Sequence, residues 1–111
     1  MVFLKKLKME LAWAARGFAA AGAEPRLEVL LGLVRAGPQG LTVGEIQERL
    51  NMPASTLAHH LRFLKSASLI EQEKYGRTVI NRARFDYIED LAQFLLKECC
   101  TESASLYKKT A

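Results

Sequence analysis

Cysteine, histidine, proline and tryptophan are scarce in this chain of 111 residues, with two, two, three and one respectively. Two cysteines cannot build a framework of crossed disulfides. They are also adjacent, Cys99-Cys100, and a bridge between neighbours strains normal disulfide geometry. They read as free thiols of a reducing compartment. No stretch approaches the roughly 20 apolar residues of a membrane span. Lys5, Lys6, Lys8 and residues 19–23 imitate parts of a secretory signal, but Glu10 and Arg16 interrupt the apolar centre that such a signal requires. A cytoplasmic location is the expectation. There is no glycine-rich phosphate cradle, no nucleophile beside a base and no His/Glu metal motif, so an enzyme is not expected. What the chain does have is apolar content: half of it is hydrophobic, enough to fold. The length fits one domain over 1–111. Sixteen Lys and Arg against twelve Asp and Glu leave a net charge of +4, which suits a polyanionic partner without requiring one.

Periodicity then divides the chain. Leu4, Leu7, Leu11, Ala14, Ala15 and Phe18 recur at helical spacing over 4–21, and Gly22 ends that helix. Glu24-Pro25 opens a second helix, striped by Leu27, Leu30, Leu31 and Val34 and stopped by Gly37-Pro38. Thr42 with Glu45 is a capping-box pattern. Val43, Ile46 and Leu50 form one face of the short helix it starts, and Asn51 can take the left-handed conformation that closes it. Pro53 begins the next helix, over about 54–67. Its stripe of Leu57, Leu61 and Leu64 faces the core, with Ser55, Thr56, His59, Arg62 and Phe63 opposite. Two strands follow, 69–74 and 78–84, joined through Tyr75-Gly76-Arg77, where Gly76 supplies the positive φ of a tight hairpin. Asp86 with Glu89 signals a last helix over 86–100, carrying Ile88, Leu91, Ala92, Leu95 and Cys99 on one face.

The expected fold is therefore mainly α with a β-hairpin wing, in the order α-α-α-α-β-β-α. It is a winged helix-turn-helix with the helix-turn-helix at 42–67 and the wing at 69–84. The tight break at Asn51–Pro53 holds two helices at a steep angle, as a DNA-reading helix requires. Ser55, Thr56, His59 and Arg62 have the side chains to meet phosphates or base edges. Arg77 at the wing tip suits a phosphate or minor-groove contact, with Lys65 and Lys74 behind it. His60 falls beside the core stripe and reads as a partly buried, hydrogen-bonded residue rather than a DNA contact. The apolar first and last helices suit a twofold dimer, since such proteins read paired half-sites.

From Glu45-Ile-Gln-Glu-Arg-Leu50 through Thr56-Leu-Ala-His-His-Leu61 to Tyr75-Gly-Arg77, the chain resembles the ArsR/SmtB family of winged-helix metalloregulatory repressors. The resemblance covers about 24–100. Phe94-Leu-Leu-Lys-Glu-Cys-Cys100 resembles the end of the last helix in an arsenite-responsive branch. It implies a homodimer that binds operator DNA without any cofactor and lets go when an inducer binds. Other sensing sites of the family do not match. The short helix has no Cys-x-Cys, and no histidine follows His60, which argues against zinc, nickel or cobalt.

The Cys99-Cys100 pair remains, as ligands for trivalent arsenic or antimony, which are soft and favour thiolates. Helical neighbours point about 100° apart, so chelation by both is expected to require unwinding of the helix end, a distortion that could itself move the dimer. Inorganic arsenite prefers three thiolates, and Ser103 and Ser105 stand where relatives often carry a third. Solvent, a partner cysteine or a methylated arsenical that needs only two sulfurs would each resolve this. The same thiols could instead sense oxidants or electrophiles, or Cys99 could pack as a small hydrophobe in the core stripe. A ligand-independent DNA-binding protein acting through protein partners is the remaining alternative.

Overall fold

A computed structural model describes residues 9–102. Five helices and a three-stranded sheet follow one another as α1 (Leu11–Ala21), α2 (Glu24–Ala36), β1 (Leu41–Thr42), α3 (Val43–Leu50), α4 (Ala54–Ser66), β2 (Ile70–Tyr75), β3 (Thr78–Ala83) and α5 (Phe85–Leu96). The expected Leu4 and Leu7 of the first helix lie outside the described residues. Leu33, Ile46, Leu57, Leu64, Leu69 and Ile70 are fully buried at the centre. Each helix from α2 to α4 thus gives one stripe to a common core, the burial that stabilises short helices too weak to stand alone.

The sheet holds a strand that hydropathy did not reveal. β1 is only two residues long, and pairs antiparallel with β3 through Leu41↔Asn81 and Thr42↔Ile80, giving the order β1-β3-β2. Gly40 makes this possible. Its φ is +73°, and a Cβ there would lie 2.5 Å from the Asn81 carbonyl oxygen. Two residues carry no alternation signal, so a strand this short is visible only in its pairing.

At the other end, Gly17 lets α1 settle on α5. A Cβ at Gly17 would come within 2.7 Å of Leu91 Cδ1. The Tyr87 hydroxyl crosses the same contact and donates to the Trp13 carbonyl at 2.7 Å. The start of α5 departs from expectation: Asp86 and Glu89 form no capping box. Arg84 is the N-cap residue without a side-chain cap, and Asp86 sits inside the first turn, where its charge complements the helix dipole. The end of α5 departs further, since the helix stops at Leu96 rather than near Cys100.

Candidate nucleic-acid interface and thiol pair

The turn between α3 and α4 is fixed by local chemistry. Glu45 N–H donates to Thr42 Oγ1 at 3.1 Å, and Thr42 N–H donates to Glu45 Oε1 at 2.8 Å. This is the reciprocal capping box, which satisfies two otherwise orphaned donors. Asn51 then takes φ 52° and ψ 51°, donating to the Gln47 carbonyl, and Pro53 presets the extended entry to α4. Gln47 Nε2 donates to the Met52 carbonyl at 3.3 Å and braces the turn from inside.

α4 buries Leu57, His60, Leu61 and Leu64. Ser55, Thr56, His59, Arg62 and Lys65 are all exposed. At 100° per residue, Ser55, His59 and Arg62 form one strip, with Thr56 and Phe63 beside it. The strip is not loose. His59 meets the edge of Phe63 at 4.9 Å between ring centroids, and the Arg26 guanidinium of α2 lies 4.6 Å over the same ring. This stack was not legible from one helix, because Arg26 arrives from another.

His60 corrects an expectation. It is buried, but Nδ1 has no hydrogen-bond partner. Burial first, then the charges of Arg26 and His59, hold its pKa below the usual value. An imidazole that must stay uncharged to remain inside explains the direction.

The wing places Arg77 at an exposed tip. Tyr75 pairs with Thr78 across a turn in which Gly76 has φ +62°. Lys74 is exposed beside it. Two unforeseen groups hold the wing to the body. Asn81 is fully buried; its Oδ1 accepts from Gln72 Nε2 at 2.8 Å, and its Nδ2 donates to the Leu41 carbonyl at 3.2 Å. Arg82 pairs with Glu73 at 2.6 Å and donates through Nε to the Pro38 carbonyl at 2.8 Å. A polar residue at a core position of a strand was the available signal for Asn81.

Residues 24–73, the span from α2 into β2, match the family described as "Helix-turn-helix domain". The chain is 26% identical over 73 residues to the transcriptional repressor SdpR of Bacillus subtilis, covering 79% of that protein. It is 38% identical over 58 residues to an uncharacterized HTH-type transcriptional regulator of Methanocaldococcus jannaschii, but spans only 15% of that longer protein. Among solved structures, an ArsR-like transcriptional regulator from Rhodococcus sp. RHA1 superposes with a TM-score of 0.74 at 28% identity, covering 87% of this chain and 89% of that one. The chain is thus similar in fold and in sequence to an ArsR-like winged-helix regulator. The relatives and solved neighbours it resembles are transcriptional regulators, not enzymes. A homodimeric winged helix-turn-helix domain of Mycobacterium bovis shares the fold, with a TM-score of 0.64 at 24% identity over 82% of each chain. No helix among the described residues is long and apolar enough to cross a membrane.

The cysteines stand differently from expectation. They are not on the helix. Past Leu96 the chain continues in turns, with Cys99 N–H donating to the Leu96 carbonyl at 2.9 Å and Thr101 N–H to the Glu98 carbonyl at 3.3 Å. Cys100 has φ +61°. This left-handed residue swings its side chain back, and the two sulfurs lie 3.6 Å apart. The splay expected of helical neighbours does not apply, and no further unwinding is needed to bring the sulfurs together. Cys99 is exposed rather than packed in the apolar stripe, and Cys100 is half-buried. Their shared hydrogen bond, then burial and the neighbouring thiol's charge, push the Cys100 thiol up. No group of three or more His, Cys, Asp and Glu side chains converges among the described residues. Ser103 and Ser105 lie outside them.

Proposed function

We propose that this chain is a homodimeric repressor that leaves its double-stranded operator when a trivalent arsenical, or antimonite, binds Cys99 and Cys100. The observation that carries the reading is the 3.6 Å separation of the two sulfurs at the end of α5. Two metal–sulfur bonds of about 2.3 Å meeting near the tetrahedral angle span roughly 3.7 Å. The pair therefore offers a ready bidentate bite to a soft thiophilic centre. With two thiols and no third ligand beside them among the described residues, an arsenical carrying one organic group matches the donor set best. Inorganic arsenite or antimonite would draw its third ligand from solvent or from the second protomer.

Dimerisation is supported by the apolar surface of α1 and α5. Leu11 is 73% exposed, Leu95 60% and Leu96 58%, with Trp13 and Phe18 also outward. The Mycobacterium neighbour is described as homodimeric, and the Bacillus relative as a repressor. In such a dimer the thiols lie directly beyond the helix that joins the protomers, so a ligand there can move the two α4 helices relative to each other. Operator contacts are assigned to Ser55, Thr56, His59, Arg62 and the wing-tip Arg77, with no cofactor required.

A redox or electrophile sensor using the same thiols is the second reading, favoured by the exposure of Cys99. Adjacent Cα atoms lie about 3.8 Å apart, closer than ordinary disulfides span, so oxidation would join protomers instead. Fluorescence anisotropy of labelled promoter DNA with reduced protein tests both. Release by near-stoichiometric methylated arsenical or arsenite, absent in Cys99→Ser/Cys100→Ser, is the expected result. A complex that ignores arsenicals but dissociates with peroxide identifies the redox sensor. Indifference to both, with intact DNA binding in the double mutant, leaves a regulator that acts through protein partners.

A further inference from the structure

A groove away from the thiols has the makings of a second site. Arg16 and Ala19 of α1 form one wall at helical spacing, and Phe63 and Ser66 of α4 form the other, with Ala67 just past its end. Arg26, in the first turn of α2, closes the groove between them. The space is about 420 Å³, within the range of small-molecule sites.

Its chemistry is cationic and apolar together. Arg26 Nε donates to the Ala20 carbonyl at 2.7 Å, and its Nη2 lies 3.5 Å from the Ala19 carbonyl. The guanidinium thus caps the negative end of α1 and is held against the Phe63 ring, leaving Nη1 unengaged among the described residues. Arg16 has no hydrogen bond or ion pair among them; its guanidinium lies 5.2 Å from the Trp13 ring. Among the described residues no carboxylate lines the groove. Two guanidiniums without a counter-charge call for an anion, and a planar fork pairs best with a carboxylate. The alanine methyls and Phe63 call for an apolar body beside it.

We propose that this groove binds a small aromatic carboxylate, its carboxyl group on Arg16 and the free Nη1 of Arg26 and its ring against Ala19, Ala67 and Phe63. Inorganic phosphate or a DNA phosphate would satisfy the charges but leave the apolar walls unfilled. An occupant bridges α1 to the end of the recognition helix, so this site has a direct mechanical route to the DNA-reading face. It shares no residue with the thiol pair, and it stands or falls independently of arsenical sensing.

The test is a titration of the DNA-free full chain with phenylacetate, with 2-phenylethanol as the neutral counterpart. Backbone amide NMR shifts and Trp13 emission are the readouts, Trp13 being the one tryptophan. Saturable shifts at Ala19, Ala20, Ser66 and Ala67 are expected with phenylacetate, with the alcohol weaker by about tenfold or more. Arg16→Gln should weaken binding by roughly tenfold. Ala19→Glu, which places a competing carboxylate at an exposed position of the wall, should abolish it. Both variants should keep wild-type amide dispersion. The assignment is overturned if phenylacetate gives no saturable shift. It is equally overturned by an equal response to the alcohol or to inorganic phosphate, or by full binding to Ala19→Glu.

Discussion

Arg62 and His60 are two positions apart on α4 and have opposite fates, which follow from the side of the helix each occupies. Arg62 is exposed on the strip with Ser55 and His59. If it reads a base edge, Arg62→Ala will weaken operator binding by about 1–3 kcal/mol and relax sequence preference at one position. Arg77 is exposed at the wing tip, where a phosphate or minor-groove contact is proposed for it. Arg77→Ala should lower affinity nearly uniformly across sequences and reduce the salt slope by about one. Anisotropy titrations against operator and scrambled DNA at several salt concentrations separate the two roles. His60 faces inward, with its pKa held below the usual histidine value of 6.5. Between the folded and unfolded pKa values the unfolded chain binds the extra proton, so stability there rises with pH. The contribution is complete above about pH 6.5 and is lost as pH falls through the folded pKa. Urea unfolding across pH 5–8 should show that slope in the wild type and a smaller one in His60→Phe. An unchanged slope would mean His60 does not titrate between the states.

At the scale of elements, the helix-turn-helix was legible because each of its signals is local. Thr42 and Glu45 cap, Asn51 closes, Pro53 reopens, and Leu57, Leu61 and Leu64 recur at helical spacing. The structure realises all of these. What was not legible depends on partners distant in sequence. β1 exists because Asn81, forty residues away, reaches the Leu41 carbonyl. Arg26 joins the α4 face only after folding. The thiol geometry turned on Cys100 taking a positive φ, which helical extrapolation from Leu95 could not anticipate. Asn81 gives this a measurable consequence. Asn81→Ala strips a buried partner from both Leu41 and Gln72, and should destabilise the fold by about 1–3 kcal/mol. Amide exchange should quicken first in β1 and β3, and operator affinity should fall because Arg77 is no longer held in register. Uniform exchange with full affinity would show that Arg82 and Glu73 alone suffice to hold the wing.

At the scale of the whole molecule, the unresolved demand is the apolar surface on α1 and α5. Leu11, Leu95 and Leu96 expose more than half their area, and large apolar side chains left bare on two packed helices point to an interaction surface. A second copy is the economical partner, because one twofold contact covers the same patch on both chains and sets two α4 helices to read paired half-sites. Leu95→Glu/Leu96→Glu places two charges where the partner would pack. Both positions are exposed in the single chain, so its own fold should tolerate the change. Sedimentation should find wild type at twice the 12.4 kDa chain mass and the variant at the chain mass, with helical circular dichroism retained. Operator affinity should then drop toward that of one half-site, while arsenical binding to Cys99 and Cys100 persists, because both sulfurs belong to one chain. If arsenical binding is lost along with the dimer, a third ligand must come from the partner, and the switch is then a property of the assembled interface rather than of either helix end.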